Sequence, residues 1–344
     1  MGANLAIALA ERHPGWEIVA FDNLKRRGSE LNLPRLRSAG VHFEQGDVRE
    51  PKDLLSLPKV DALVECSAEP SVLAGTDGAP DYVVKTNLFG AWHCLELARR
   101  DGAQVIFLST SRVYPVDPLT QLRLEETDTR YELSDDQPVH GASSKGISED
   151  FPMDGARTIY GTTKLSAEML VEEYRESYGL RTVVNRCGVI AGPWQMGKVD
   201  QGVFAFWMIA HRLGNPLKYI GFDGSGRQVR DLLHVDDLVE LLDDQLLRPD
   251  HWNGFVSNVG GGRDISLSLA ETTALCREIT GREVPVESAG EDRPGDIPVY
   301  ISDCSRLFAH TDWRPARSAR DVLLDLDSWI SDHQEALVAT VPST

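Results

Sequence analysis

The chain has 344 residues, 42% of them hydrophobic and 26% charged, and its formal net charge is −18. That length allows one large domain or two closely packed ones, and the composition is that of a globular protein. The negative charge argues against nucleic acid or an anionic membrane surface as a partner, because both would repel it. A small anionic ligand remains compatible, since a few local arginines can hold one.

Membrane and metal signals are also lacking in the sequence. No apolar run approaches the roughly 18 residues of a membrane helix, and the start does not follow the charged-then-apolar pattern of a signal sequence. The five cysteines are scattered and never form a Cys-x-x-Cys pair. We therefore expect free thiols, a cytoplasmic location and no metal site.

The first predicted elements are a helix, a short strand and an acidic residue that ends the strand. The chain opens into a helix with an apolar face around Leu5 and Leu9, and residues 17–21 predict a strand that runs into Asp22. An acid about 20 residues after a helix-opening glycine is where a dinucleotide-binding βαβ unit holds the adenosine ribose. Gly2 would then be the last glycine of that fingerprint, with the strand and the glycines before it absent.

Further strands alternate with helices along the next hundred residues. This alternation is typical of a doubly wound α/β fold with a parallel sheet, here of the Rossmann type and lacking its first strand. Loss of that strand would expose the edges of its two neighbours. The predicted strands are 41–44, 62–65 and 105–108, with a helix over 81–100 that carries Asn87 between the last two.

Polar residues follow the ends of these strands. Gly46 and Asp47 form a turn that could contact adenine, Ser67 lies in the loop after residue 65, and Thr110 follows the buried strand that ends at 108. The carboxyl ends of parallel strands share one edge of the sheet, which is where such folds bind ligands. We expect these side chains to line a ligand crevice.

The remaining chain divides into a polar stretch, a return to the first fold, and a second lobe. Residues 115–152 are acidic and rich in Pro, Gly and Ser, and two interpretations stay open: a functional loop or a disordered segment. A helix from Tyr160 to about Tyr178 and a strand at 182–186 then complete the first domain. We place a Rossmann domain at 1–186 and a smaller α/β substrate-binding lobe at 187–344, with some elements returning to the first.

Tyr160 and Lys164 are the strongest chemical signal. Four positions apart on a helix, they share one face, so the ammonium can lie below the phenol. A tyrosine normally titrates near pH 10, whereas a general base should titrate near 7. Closing that gap requires about 4 kcal/mol, which the lysine and a bound nicotinamide ring could supply in a dry site.

Several motifs occur together in one order along essentially the whole chain. They are Phe21-Asp22-Asn23-Leu24, Gly46-Asp47, Asn87, Ser109-Thr110-Ser111-Arg112-Val113-Tyr114, Tyr160-x-x-x-Lys164, Asp200-Gln201-Gly202 and Arg227-Gln228-Val229-Arg230-Asp231-x-x-His234. With these motifs in this order, the sequence resembles the extended short-chain dehydrogenase/reductases that act on nucleoside-diphosphate sugars. Within them it is most similar to the CDP-paratose 2-epimerases, also called CDP-tyvelose epimerases.

The resemblance implies epimerisation of a CDP-hexose at C2 through a 2-keto sugar, with NAD as the cofactor. Tyr160 would be the base, Lys164 would activate it and bind the nicotinamide ribose, and Thr110 would hydrogen-bond the reacting oxygen. The cofactor-binding residues it implies are Gly2, Asp22, Asn23, Arg26, Asp47, Val48, Ser67, Asn87 and Lys164. The substrate-binding residues are Gln195, Gln201, Arg230, Arg293 and Asp296, with the two arginines as candidates for the diphosphate.

Asp22 also bears on the choice of cofactor. Its carboxylate would pair with both ribose hydroxyls and repel a 2′-phosphate, which favours NAD over NADP. Lys25, Arg26 and Arg27 follow directly and weaken that argument, since they could host a phosphate. The family pattern, with a basic residue after Asp-Asn, still favours NAD.

Three other functions share part of this sequence pattern. A 4,6-dehydratase carries Asp-Glu after the catalytic threonine, and Ser111-Arg112 stand there instead. A UDP-sugar 4-epimerase uses the same three catalytic residues and stays open, as does a non-catalytic dinucleotide-sensing scaffold. Without the first strand, we expect weak NAD binding and a tendency to aggregate. The resemblance also implies a homodimer or homotetramer that pairs through the helices starting near Asp81 and Tyr160.

Overall fold

The computed structural model describes residues 1–76, 78–197, 201–291, 293, 295–335 and 337. These residues form two compact units that alternate along the chain. The first comprises 1–109, 159–185 and 238–256, and the second comprises 110–158, 186–237 and 257–344. The boundary at residue 186 stays a prediction. Within the described chain, every helix is too short or too polar to cross a membrane.

The elements of the first 147 residues alternate strands with short helices, as expected. In chain order they are α1 (Gly2–Arg12), β1 (Val19–Asp22), α2 (Leu33–Ser38), β2 (His42–Gln45), α3 (Pro51–Leu55), β3 (Ala62–Glu65), α4 (Pro80–Val84), α5 (Gly90–Asp101), β4 (Gln104–Thr110), α6 (Val116–Thr120), β5 (Leu124–Glu126), β6 (Tyr131–Leu133), β7 (Ala142–Ser143) and β8 (Gly146–Ile147).

The remaining elements begin with the longest helix of the structure. They are α7 (Ile159–Tyr178), β9 (Thr182–Cys187), β10 (Val189–Ala191), α8 (Val203–Leu213), β11 (Leu217–Ile220), β12 (Val229–His234), α9 (Val235–Leu247), α10 (Pro249–Trp252), β13 (Phe255–Val259), β14 (Ser266–Ser268), α11 (Leu269–Thr280), β15 (Val286–Ala289), β16 (Val299–Tyr300), α12 (Ser305–His310) and α13 (Ala319–Asp332).

The first unit is built on parallel strands, which confirms the predicted doubly wound fold class. A four-stranded sheet has the order β13-β9-β4-β3, and β1 pairs with β2 in a separate parallel ribbon. Six of the seven residues of β4 are buried, as expected of a central strand that is covered on both faces. The inward faces of α5 and α7 pack on this strand and close the core of the unit.

Two strands of this unit have a free edge, as predicted. In the described part of the chain, β1 pairs only with β2, and β3 pairs only with β4. Phe21 of β1 and Leu63 of β3 nevertheless pack into one apolar cluster, around Leu54 and Leu97. The ribbon and the sheet therefore share side-chain contacts without sharing a backbone ladder, and most residues of both strands stay partly exposed.

The helix predicted over residues 81–100 is interrupted. The stretch Lys85–Phe89 is a π-helical turn between α4 and α5, and it carries the buried Asn87. A π turn inserts an extra residue and redirects the side chains around it, which a spacing argument cannot anticipate.

The second unit contains its own sheets and core. The strands β10, β12 and β14 are hydrogen-bonded in that order, with β16 also paired to β12, and β11 pairs with β15. Helices α8, α11 and α13 supply most of the apolar core. The polar stretch 115–152, for which a loop or disorder was expected, contains α6 and two hairpins, β5–β6 and β7–β8.

Candidate active site

Helix α7 carries the predicted base and its lysine on its inward face. Its middle, residues 165–176, is rich in leucine, alanine, methionine and glutamate, which are strong helix formers. Tyr160, Lys164 and Glu168 follow one another at intervals of four residues, and all three are buried. The sequence spacing therefore places these side chains along one stripe of the helix, as predicted.

Lys164 forms an ion pair that the sequence did not predict. Its Nζ donates to Glu65 Oε2 at 3.2 Å, and the two side chains are only 2% and 3% exposed. The Ser67 hydroxyl donates to the other carboxylate oxygen of Glu65. The ammonium also lies 4.0 Å from the centre of the Phe107 ring, a cation–π distance. The predicted catalytic lysine is thus held by β3, β4 and the loop after β3.

The neighbours of this pair are uncharged or hydrogen-bonded. Burial raises the pKa of the Cys66 thiol to about 12 and that of Cys94 well above its usual value, so both thiols stay protonated near neutral pH. The Ser109 hydroxyl, at the end of β4, donates to Glu168 one turn further along α7. Lys164 and Glu65 therefore form an ion pair whose neighbouring side chains are neutral thiols or are engaged in hydrogen bonds.

Asn87 fastens the loop after β3 to α7. Its side chain accepts from the Glu69 amide at 2.8 Å and donates to the Glu69 carbonyl at 3.1 Å and to Thr163 Oγ1 at 3.3 Å. Thr163 directly precedes Lys164. The Asn87 side chain thus links the Glu69 backbone to α7 through hydrogen bonds near the predicted site. Its role in cofactor binding stays a prediction.

The predicted adenosine end lies at the carboxyl ends of β1 and β2. Asp22 is exposed and accepts from the Leu24 amide at 2.7 Å, while Asn23 donates to Asp47 at 3.0 Å. Arg49 donates twice to Asp47, at 2.6 and 2.9 Å, and these bonds hold the pKa of Asp47 well below its usual value. Two carboxyl side chains at neighbouring strand ends suit ribose hydroxyls and an adenine amine.

Helix α1 begins beside these strand ends. Gly2 opens it, and a Cβ at Gly2 would lie 3.7 Å from Cys66 Cβ, just past the end of β3. The first turn has no side-chain cap, so its N–H groups can bind an anion such as a pyrophosphate.

Val48 packs against the start of α5, where a Cβ at Gly90 would lie 2.8 Å from Val48 Cγ2. Arg26 lies in the loop after β1, and its carbonyl accepts from Ser29. These residues fit a dinucleotide cofactor.

Thr110 belongs to the second unit, at the last position of β4. Its side chain is buried and accepts from the Arg112 amide at 3.2 Å. Arg112 donates to the Gly295 carbonyl at 3.1 Å, and the buried Tyr114 donates to Asn258 at 2.8 Å. The contacts of Arg112 and Tyr114 thus fix the segment that follows Thr110. The catalytic assignment of Thr110, Tyr160 and Lys164 stays a prediction.

Two predicted substrate residues of the second unit contact each other. Arg230 donates to Asp296 at 3.0 Å and to the carbonyls of Val229 and Ile297 at 2.8 and 2.7 Å. The pair is largely buried, and burial lowers the pKa of Arg230. The Pro298 carbonyl, at 3.4 Å, is the fourth hydrogen-bond acceptor of Arg230. These four acceptors hold the guanidinium in one position.

The other predicted substrate residues lie in loops of the same unit. Gln195 donates to the Ile190 carbonyl at 2.7 Å, while its buried Oε1 has no hydrogen-bond partner among the described residues. That oxygen is an acceptor available to a sugar hydroxyl. Gln201 precedes Gly202, the N-cap of α8, and a Cβ at Gly202 would lie 3.2 Å from the Gln195 side chain. Arg293 is partly buried in the loop before β16, and Asp200 lies outside the described residues.

Glu65 is the residue that sequence reasoning missed. The pattern identified it only as the last residue of a strand. Glu65 ends an apolar strand at the ligand-binding edge of the sheet, and this position is a signal that could have identified it. A buried acid needs a hydrogen-bonding or charged partner. Its partner is 99 positions away in sequence, and only the fold brings them together.

The comparisons with known proteins show the family of the chain. Residues 1–260 match the NAD dependent epimerase/dehydratase family, so the chain belongs to that family and is an NAD-dependent enzyme. The CDP-paratose 2-epimerase of Salmonella typhi is 30% identical over 340 residues, which cover 96% of each chain.

One further relative and one solved structure are also similar to this chain. A dTDP-glucose 4,6-dehydratase of Streptomyces griseus is 28% identical and covers 96% of this chain and 90% of its own. The crystal structure of Thermus thermophilus UDP-glucose 4-epimerase in complex with NAD superposes with a TM-score of 0.77 at 23% identity, over 96% of this chain and 95% of that one. The structural likeness establishes the fold.

Proposed function

We propose that this enzyme epimerises a nucleoside-diphosphate sugar at C2, converting CDP-paratose to CDP-tyvelose through a 2-keto sugar. The observation that carries the proposal is the stripe on α7, where Tyr160 precedes a fully buried, charge-paired Lys164 by one turn. The 30% identity to a CDP-paratose 2-epimerase over nearly the whole of both chains supports the choice of substrate.

Tyr160 is the proposed acid–base residue. In the forward direction its phenolate takes the proton of the C2 hydroxyl, and in the return direction the phenol gives that proton back. Lys164 stabilises the phenolate by its charge, since an ammonium beside a phenol in a dry site lowers the phenol pKa. Thr110 hydrogen-bonds the reacting oxygen and opposes charge that develops on it.

The residues of the first unit would hold the cofactor. Asp22 would bind the adenosine ribose, Asp47 would contact the adenine, and the N–H groups of the first turn of α1 would hold the pyrophosphate. NAD, when bound, supplies reversible oxidation of the carbinol carbon. Because the oxidation is reversed before the sugar leaves, no second substrate is needed.

The second unit supplies the proposed substrate contacts. Arg230 and Arg293 hold the diphosphate, since a guanidinium fork matches phosphate oxygens. Asp296 accepts from the nucleotide ribose, and Gln195 and Gln201 bind sugar hydroxyls. In the structure Arg230 and Asp296 form an ion pair. Substrate binding therefore exchanges part of that pair for new contacts.

Dehydration fits the residues after Thr110 less well. A 4,6-elimination needs an acid and a base next to the catalytic threonine, whereas Ser111 and Arg112 occupy those positions. Arg112 is moreover engaged with the Gly295 carbonyl at 3.1 Å. The residues therefore support epimerisation over dehydration.

One incubation separates the candidate functions. The purified protein is mixed with NAD⁺ and either CDP-paratose or UDP-glucose, and the sugar protons are followed by NMR. We expect new resonances of CDP-tyvelose in the first sample and none in the second. Conversion of UDP-glucose to UDP-galactose would establish a 4-epimerase instead, and no conversion in either sample would favour a sensing scaffold.

We also infer a homodimer that pairs through α5 and α7. Large hydrophobic side chains are exposed on these helices and the π turn, and the Met169 side chain is 65% exposed. A monomer rarely exposes so many large apolar side chains on one pair of helices. The exposed residues are Phe89, Trp92, Met169 and Tyr178.

Light scattering on two variants tests this interface. Met169→Glu places a charge within the proposed contact, and we expect it to shift the protein from dimer to monomer. Leu324→Glu, at an exposed position of α13, is the matched control and should stay dimeric. An unchanged mass for Met169→Glu would place the interface elsewhere.

A further inference from the structure

Glu65, the buried partner of Lys164, has no role in the chemistry described so far. Nζ lies 3.2 Å from Glu65 Oε2, and both side chains are almost completely buried. The charged and titratable groups near it come from every adjoining element. Cys66 follows β3 and Cys94 lies on α5, both as neutral thiols, while Glu168 of α7 is bonded to Ser109.

A buried lysine keeps its proton only where something compensates its lost hydration. Desolvation disfavours the charged form, and lysines buried without a counterion can titrate below neutral pH. Here Glu65 is the hydrogen-bond acceptor of Nζ among the described residues, and the face of Phe107 adds a weaker attraction. Glu65 therefore supplies most of the compensation.

The carboxylate is itself held in place. Ser67 donates to the oxygen of Glu65 that does not face the lysine, and Glu65 is the last residue of β3, whose register is fixed by β4. The ammonium is thus held at one point below α7 by a rigid strand. A neutral amine at the same point would not stabilise a phenolate.

We propose that Glu65 is a positioning residue of the active site, whose carboxylate keeps Lys164 protonated and fixed beneath Tyr160. The inference rests on the proposed acid–base role of Tyr160. It assigns to Glu65 a function that a neutral side chain of the same shape cannot provide.

A purely structural role predicts something different. Buried ion pairs add little net stability compared with neutral residues of similar volume, and removal of one partner leaves the other charge uncompensated. If the pair served only the fold, Glu65→Gln would lower stability and leave the titration of Tyr160 and the pH profile of turnover unchanged. The charge state of Lys164 tests the first step of the proposal, and the titration of Tyr160 distinguishes the two roles.

The test reads that charge state directly. Lysine is labelled with ¹³C and ¹⁵N, and the Lys164 side chain is assigned by comparison with Lys164→Met. At pH 7 without cofactor we expect an ammonium in the wild type and in Glu65→Asp, and a neutral amine in Glu65→Gln. Glu11→Gln, the same change at an exposed position of α1, is the control and should match the wild type. An ammonium in Glu65→Gln would overturn the proposal.

The titration of Tyr160 provides the second readout. In protein with ¹³C-labelled tyrosine, we expect the Tyr160 transition in Glu65→Gln to move upward by about one pH unit or more, with the acid limb of the kcat profile moving likewise. The Tyr160 transition is identified by its absence in Tyr160→Phe. An unmoved Tyr160 transition would also contradict the proposal.

Failure of the inference differs from failure of the proposed function. A wild type that epimerises no sugar, with a neutral Lys164 in Glu65→Gln, would overturn the function and retain the role of Glu65. An active wild type with an ammonium in Glu65→Gln would do the reverse. Should Glu65→Gln alone not fold, Glu65→Gln is made together with Lys164→Met. If Tyr160 titrates in that folded variant as in the wild type, the charge pair is irrelevant and the proposal fails.

Discussion

The β1–β2 ribbon and the four-stranded sheet lie in the same unit and are held together in different ways. β4 has a strand on each side, and six of its seven residues are buried. β1 has one partner, and its residues are partly or fully exposed. The ribbon ends are fixed by short polar contacts, such as that of Asp47 with Arg49, whereas the sheet is fixed by an apolar core.

The predicted catalytic residues and the predicted cofactor-binding residues lie in these two different parts of the unit. Tyr160, Lys164 and Glu65 lie on the sheet side of the unit, where α7 packs on the buried central strand β4. The predicted adenosine contacts, Asp22 and Asp47, depend on the ribbon, which has a free edge. We therefore expect changes on the sheet side to affect turnover and stability, and changes on the ribbon to act mainly on affinity for NAD.

The largest expected effect is on the sheet side, at the base itself. Tyr160→Phe removes the hydroxyl and keeps the ring, so turnover should fall by about 10²–10⁴-fold, the usual size of a general acid–base contribution. Binding of NAD and the unfolding transition should stay close to those of the wild type. Steady-state kinetics and calorimetric titration measure these quantities.

A tyrosine on the same helix supplies the control for that change. Tyr178→Phe alters an exposed residue at the end of α7, and its turnover should match that of the wild type. A Tyr160→Phe protein that folds and retains full turnover would end the proposed mechanism.

Two identical substitutions compare the strands directly. Val105→Ala in β4 removes buried methyl groups and should lower the free energy of unfolding by about 2 kcal/mol. Val19→Ala in β1 should cost about half of that or less, because Val19 is already partly exposed. Urea unfolding of both variants measures the difference. Equal losses would show that the ribbon is as well packed as the sheet.

The smallest effect concerns the polar contacts of the ribbon. Arg49 holds the pKa of Asp47 below its usual value, so the carboxylate stabilises the folded state above the unfolded-state pKa of about 4. Asp47→Asn should therefore cost about 1 kcal/mol or less at pH 7. That cost should shrink as the pH falls below about 4, toward the folded-state pKa.

Unfolding of wild type and Asp47→Asn at pH 7, 4 and 3 measures this dependence. The same variant should bind NAD more weakly at pH 7, with turnover at saturating NAD retained. A cost that grows as the pH falls would have the wrong sign for a carboxylate with a lowered pKa.

Local patterns in the sequence predicted much of the fold. The run Val105-Ile106-Phe107-Leu108 identified β4, and the Tyr160–Lys164 spacing identified α7 almost to the residue. The free edges of β1 and β3 also followed from the sequence. In each case the signal lay within one element or in the order of elements, which a single sequence contains.

What the sequence did not predict depends on tertiary contacts. The π turn around Asn87 breaks a helix that spacing alone makes continuous. Glu65 and Lys164, like Arg230 and Asp296, became partners only through the packing of distant segments. A pattern within one element identifies residues that are suited to a site, and the fold decides which of them neutralise one another.

The most direct test of the proposed chemistry follows a single hydrogen atom. CDP-paratose with deuterium at C2 is incubated with the enzyme and NAD⁺ in ordinary water, and the product is analysed by NMR and mass spectrometry. Transient oxidation at C2 predicts CDP-tyvelose that retains the deuterium at C2. Loss of the label to solvent, or absence of conversion, would contradict it.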